Sequence, residues 1–315
     1  MKTPRFRKAF TVPAVVLLSL LGAQSAAALS LSANYSQFGN AIDHKVYQNA
    51  AGQLFRTSGV GRTDVTALFQ LNVAAANTYL EHAITVPWNH EVTYKLFDFK
   101  TASIAADGDS EITYEDENNR TTNSIIRIDS SANSHFFLDP TPFDNSEYNF
   151  KSSDAPLGGG SVNVERFGKA IPDGPADGRT DLLTLFLHET MHSLGLSDGS
   201  DRFVALVGQT GKLGDPSRML TIPTSLSTLP SAFDIPFLSN EGHIDGAASD
   251  GLFLHMVVSV PAFIEGDRAL PTGAEIYALA QINGATSTQY NLDLFQPTMA
   301  FFGMPWNAGI LKYGL

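Results

Sequence analysis

The sequence predicts an α+β fold, and three observations carry that reading. Val65, Leu68, Phe69, Asn72, Val73, Ala76, Tyr79 and Leu80 recur at intervals of three and four, the spacing of one helical face. Shortly afterwards Val92-Thr-Tyr-Lys-Leu-Phe-Asp98 alternates with a period of two, as a half-buried strand does. Further on, apolar residues 182, 183, 185, 186, 187, 191 and 194 cover most of a helical circumference, so a second helix there must be buried.

In chain order, Lys2, Arg5, Arg7 and Lys8 precede an apolar run from Ala9 to about Gly22 and the small residues Ala23 to Ala28. That run is too short to span a bilayer, and the pattern predicts a signal peptide over 1–28, with 29–315 the exported chain. Export would be to the extracellular space or a periplasm. Loss of the four basic residues lowers Lys+Arg from 20 to 16 against 32 Asp+Glu, a net charge of −16. Such an acidic surface argues against nucleic acid or an anionic membrane as partner. There is no cysteine, so disulfides and thiolate metal sites are excluded.

After a polar lead from Ser30 to Gly61, Thr63 and Asp64 open the first helix, expected over about 63–83 and broken by Pro87 and Asn89. Residues 107–118 crowd acidic side chains whose oxygens could hold Ca²⁺, but the EF-hand spacing is missing and the stretch reads as a solvated loop. Ser124–Asp129, His135–Leu138 and Ser161–Glu165 are strand candidates. A long stretch bearing Gly, Ser and Pro runs from Asp198 to about Gly251, and Thr272-Gly-Ala-Glu275 is a capping box opening a last helix that stops at Asn283-Gly284. No repeat or low-complexity linker divides the chain.

The chemistry concentrates in Thr180–Asp198. His188 and His192, four apart, lie one above the other on a helix and can close on one cation. Gly195 can take the left-handed conformation that ends a helix, a reversal that would bring Asp198 back as third ligand. His243, in Glu-Gly-His-Ile-Asp245, is the main rival for that place, with Asp201, Asp215 and Asp234 behind it. Glu189 sits beside the two imidazoles, and burying it without a chemical use would be costly.

The stretch fits H-E-x-x-H-x-x-G-x-x-D throughout and resembles the metzincin zinc peptidases, in the snapalysin-like variant with Asp as third ligand. The resemblance implies a metzincin-like catalytic domain: a mixed twisted sheet with a long N-terminal helix and an active-site helix, an upper lobe over about 62–195, and a small lower lobe over about 196–315 ending in a C-terminal helix. It places the sheet's edge strand at Ser161–Glu165 and a methionine turn beneath the metal at Met256, with Met219 second. Val257 and Val258 follow Met256 where some members have a tyrosine, which leaves that role to Tyr277 or Tyr313.

The function implied is a secreted zinc endopeptidase acting on protein or peptide. Zn²⁺ would be held by His188, His192 and Asp198 with a fourth position open to water, and Glu189 would be the general base. Two other classes remain open at this point. One is a non-catalytic exported binding or surface protein with a structural metal; the other is a zinc amidohydrolase acting on a non-peptide substrate.

Overall fold

A computed structural model describes residues 29–36, 42–43, 46–48, 54–56, 63–84, 87–97, 99, 107–129, 136–156, 161–207, 218–222, 233–238, 242–245, 255–259 and 265–284. The signal-peptide stretch, Asp215 and Tyr313 lie outside them. Helices and strands are mixed in an α+β arrangement. Its elements are β1 (Leu29–Asn34), β2 (Ile42–Asp43), β3 (Val46–Gln48), β4 (Leu54–Arg56), β5 (Thr63–Asp64), α1 (Thr66–Ala83), β6 (Trp88–Phe97), β7 (Gly108–Glu115), β8 (Thr121–Asp129) and β9 (Phe136–Phe137). They continue with β10 (Tyr148–Pro156), β11 (Ser161–Ala170), β12 (Thr180–Asp181), α2 (Leu182–Ser193), α3 (Asp201–Val207), β13 (Arg218–Ile222), β14 (Phe233–Phe237), β15 (Asp267–Ala269) and α4 (Gly273–Ile282). No helix among the described residues is long and apolar enough to cross a membrane.

The first helix begins three residues later than its periodicity predicts, because Thr63 and Asp64 pair antiparallel with Asp43 and Ile42 instead. The main sheet has the order β1-β6-β8-β7, parallel between β1, β6 and β8 and antiparallel only where β7 joins. One face of this sheet, with His90, Val92 and Tyr94 on β6 and Ser124, Ile126 and Ile128 on β8, is buried. His90 is a core histidine: its Nδ1–H donates to the Thr121 carbonyl at 3.0 Å and its Nε2 accepts from Ser124 Oγ at 2.9 Å.

Every residue of α2 is buried. Phe186 at its middle meets Phe69 of α1 edge-on at 5.1 Å and Tyr94 of β6 at 5.6 Å, so the helix is packed by aromatic contacts from both the first helix and the sheet. A helix apolar around its whole circumference can only be satisfied in such a place.

Two expectations fail here. The acidic stretch 107–118 is not a loop over most of its length but the strand β7 at the end of this sheet among the described residues, where Arg127 on β8 offsets part of its charge by pairing with Asp109 at 2.9 Å and with Glu111. Ser161–Glu165 is accordingly not the edge of this sheet. It belongs to β11, the middle strand of a separate three-stranded sheet of order β10-β11-β15, since the strand runs on to Ala170 and pairs with Tyr148–Pro156 on one side and with Asp267–Ala269 on the other.

Candidate metal centre

Helix α2 is fixed at both ends by polar groups that the sequence offers at the right offsets. Asp181 is its N-cap, accepting the Thr184 N–H at 3.0 Å and the Thr184 hydroxyl at 2.7 Å. The same carboxylate is held by the fully buried Arg268, whose Nε donates to Oδ2 at 3.0 Å and whose Nη2 donates to Oδ1 at 2.8 Å. Arg268 also reaches Asp139 at 2.6 Å and lies 4.4 Å from the centre of the Tyr148 ring. Burial works against the guanidinium charge, but Asp181 foremost, with Asp139, more than offsets it and holds the group above its ordinary value. Nothing in the sequence pattern marked Arg268.

At the other end the chain reverses through Gly195, at φ +112°, with Gly195 N–H bonded to the His192 carbonyl at 3.0 Å and Leu196 N–H to the Met191 carbonyl at 3.1 Å. This is a Schellman closure. The reversal has a local result: the Leu196 carbonyl comes back to accept the Nδ1–H of His192.

His188 is oriented in the same way by a distant segment. Its Nδ1–H donates to the Val257 carbonyl at 2.6 Å. A carbonyl can only accept, so both α2 imidazoles carry their proton on Nδ1 and present a lone pair at Nε2. Those two Nε2 atoms are 2.9 Å apart, and the Nε2 of His243 lies 3.1 Å from one and 3.2 Å from the other. Three ring nitrogens brought this close, two of them without a proton to share, call for a cation at their centre. Burial first, then the neighbouring His192 and His243, lowers His188 well below its ordinary value, and burial lowers His243 to about 4, so protons are poor candidates for that cation.

The three histidines are the one group of His, Asp and Glu among the described residues whose ligand atoms all converge, within 4.8 Å of one another. They fit a metal ion. Tetrahedral zinc with Zn–N bonds of 2.0–2.1 Å separates its nitrogens by about 3.3 Å, and each observed edge of the triangle comes within about 0.4 Å of that. The rival His243 therefore stands with His188 and His192, and Asp198 is not in the converging set. The reason lies in the two reversals. After Gly195 the Leu196 backbone carbonyl returns to His192 and the chain goes on into α3, with Asp198 outside the converging set. Gly242, at φ +61°, meanwhile packs so closely that a Cβ there would lie 2.7 Å from the Leu196 carbonyl oxygen, which sets His243 beside the end of α2.

Glu189 is buried against the start of β7. A Cβ on Gly108 would sit 3.2 Å from Glu189 Oε1 and 3.1 Å from Leu185 Cδ1, so a larger residue there would press on the glutamate side chain. Burial, with the charge of Asp109 adding to it, raises the Glu189 carboxyl to about 8 against a hydrogen bond from Ser110 that lowers it. Asp201 and Asp234 lie outside the converging set, as does His255, which stacks on Phe167 at 4.2 Å. Met256 is fully buried in the turn that supplies the Val257 carbonyl, whereas Met219 is half-exposed on β13. Tyr277 is buried in α4. Asp109 and Glu111, offered by the sequence as calcium ligands, are the partners of Arg127.

The chain matches no protein-family model, no curated protein and no solved structure, and its functional assignment rests on the geometry of this centre.

Proposed function

We propose that the chain is an exported zinc-dependent endopeptidase related to the metzincins, with His188, His192 and His243 as metal ligands and Glu189 as the general base. The observation that carries this reading is the triangle of Nε2 atoms, two of them locked in the ligating tautomer, one residue away from a buried glutamate. Three neutral imidazoles form a donor set suited to Zn²⁺ and leave its double charge uncompensated. When bound, the ion would supply Lewis acidity toward the scissile carbonyl and acidify a water.

The protein's own groups do the rest. Glu189, raised toward neutrality by burial, can take the proton of the attacking water and return it to the leaving nitrogen. Strand β7 ends the main sheet among the described residues, so an extended peptide could lie along its outer edge beside Glu189. The relation to metzincins is supported by the H-E-x-x-H helix, the long helix ahead of three of the four strands of a mixed sheet, the buried Met256 turn and the closing helix α4. The distant His243 in place of Asp198 is where the chain departs from that pattern.

The test is metal analysis of the purified mature protein together with digestion of an unfolded protein substrate, with and without chelator. One bound zinc, chelator-reversible cleavage, and a Glu189→Gln variant that keeps the zinc but cleaves at least about a hundredfold more slowly are expected. Protein free of metal, or undiminished cleavage by the variant, would overturn the reading.

A further inference from the structure

The turn Met256–Ser259 bonds one of the three histidines and the residue that follows another. Its Val257 carbonyl accepts from His188 Nδ1, and its Val258 carbonyl accepts the N–H of Ile244, the residue after His243, at 2.9 Å. Ser259 and Ile244 also form an isolated parallel bridge. Whatever fixes this turn fixes the direction of one ligand and the seat of another.

We propose that Glu275 of α4 is a positioning residue for the metal centre, acting through this turn. Its Oε1 accepts the Val258 N–H at 2.9 Å, and the Val257 backbone contributes a further bond. The Val258 N–H and the Val257 carbonyl are the two ends of one peptide unit. A carboxylate at one end and the His188 imidazole at the other therefore hold that unit from both sides, which prevents it from rotating and polarises its carbonyl toward the imidazole. The arrangement is an outer-shell carboxylate acting on a metal-ligating histidine with an amide between them.

Glu275 is also the N3 residue of the capping box predicted from Thr272, its Oε2 accepting the Thr272 N–H and hydroxyl at 2.9 Å each. A cap alone would use one oxygen and leave the other to solvent. Here the residue is fully buried, the second oxygen goes to the turn, and the partners at 2.9 Å are all donors. A carboxylate can satisfy them all, whereas the NH₂ group of a glutamine must oppose one side or the other.

This inference rests on the metal site and not on peptide hydrolysis. The zinc affinity of the unsubstituted protein tests the site, and the variants test Glu275. At pH 8, above the value of about 7 to which burial raises the Glu275 carboxyl, zinc affinity is measured by competition with a chromophoric chelator, and the visible bands of the Co²⁺-substituted protein report ligand geometry. Glu275→Gln should weaken zinc binding about tenfold or more and shift the cobalt bands. Thr272→Ala, which removes the cap but leaves the Val258 bond, should lower the unfolding temperature with zinc affinity within about twofold of the original.

Equal losses of affinity in the two variants, or none in Glu275→Gln, would reduce Glu275 to a helix cap. Because coupling is reciprocal, the unsubstituted protein gives an answer even if a variant fails to fold. Adding zinc should slow amide hydrogen exchange at residues 272–275 as well as at 242–245 and 256–259. Protection that stops short of 272–275 would overturn the proposal.

Discussion

Exchanging the two rivals for the third ligand position gives the sharpest test of the centre. With His243 replaced by Ala, the remaining imidazoles are two neighbours on one helix. The edges of 3.1 and 3.2 Å that closed the triangle disappear. Removing a group that merely orients a ligand costs roughly 10–100-fold in metal affinity, so removing a ligand should cost at least about a hundredfold, or roughly 2.7 kcal/mol. Asp198→Ala leaves all three edges intact and should change affinity by less than about threefold. The assay is chelator competition on freshly demetallated protein, with elemental analysis of the reloaded material. Zinc retained by His243→Ala but lost from Asp198→Ala would refute the geometric argument and restore the motif as the sequence spells it.

Three further outcomes follow from features around the centre. Arg268→Met leaves Asp139 and Asp181 as uncompensated buried carboxylates and should destabilise the fold by about 3–5 kcal/mol in denaturant unfolding, with α2 loosened at its N-terminus. Gly242→Ala must place a methyl 2.7 Å from the Leu196 carbonyl oxygen at a positive φ, and should lower zinc affinity by displacing His243 even where circular dichroism shows the protein folded. His90, lowered by burial to about 4 from an ordinary 6.5, is kept neutral by the fold, so its contribution is complete above about pH 6.5 and is lost as pH falls through 4. That loss is on the order of 3 kcal/mol. His90→Gln should flatten the acid side of the unfolding temperature against pH in demetallated protein, and an unchanged slope would remove His90 from the account.

What was legible in the sequence was local. His188, Glu189 and His192 could be placed because a helix fixes residues four apart, and the Thr272 capping box could be placed because it spans one turn. The third member of the converging set could not, since a Schellman turn and an extended continuation put different atoms beside His192 from the same letters. His243 reaches the site through non-local contacts, among them the Ile244–Val258 bond and the packing of Gly242 on Leu196, so the sequence could offer it as a rival but not rank it first. Composition misled at 107–118, where acidic residues suggest solvent but Arg127 across the ladder makes them a strand. Arg268 carries no local signal at all, because its partners Asp139 and Asp181 lie 129 and 87 positions away.

The placement of the ligands has a mechanical consequence in a chain without cysteine. Two of the three sit on one helix, so an ion bound by all three cross-links residues 192 and 243 and closes a loop of about 50 residues. By the entropy relation used for disulfides, such a closure is worth about 4 kcal/mol against the unfolded chain. The ion would then be a removable staple, and withdrawing it would free the stretch around His243 from the end of α2.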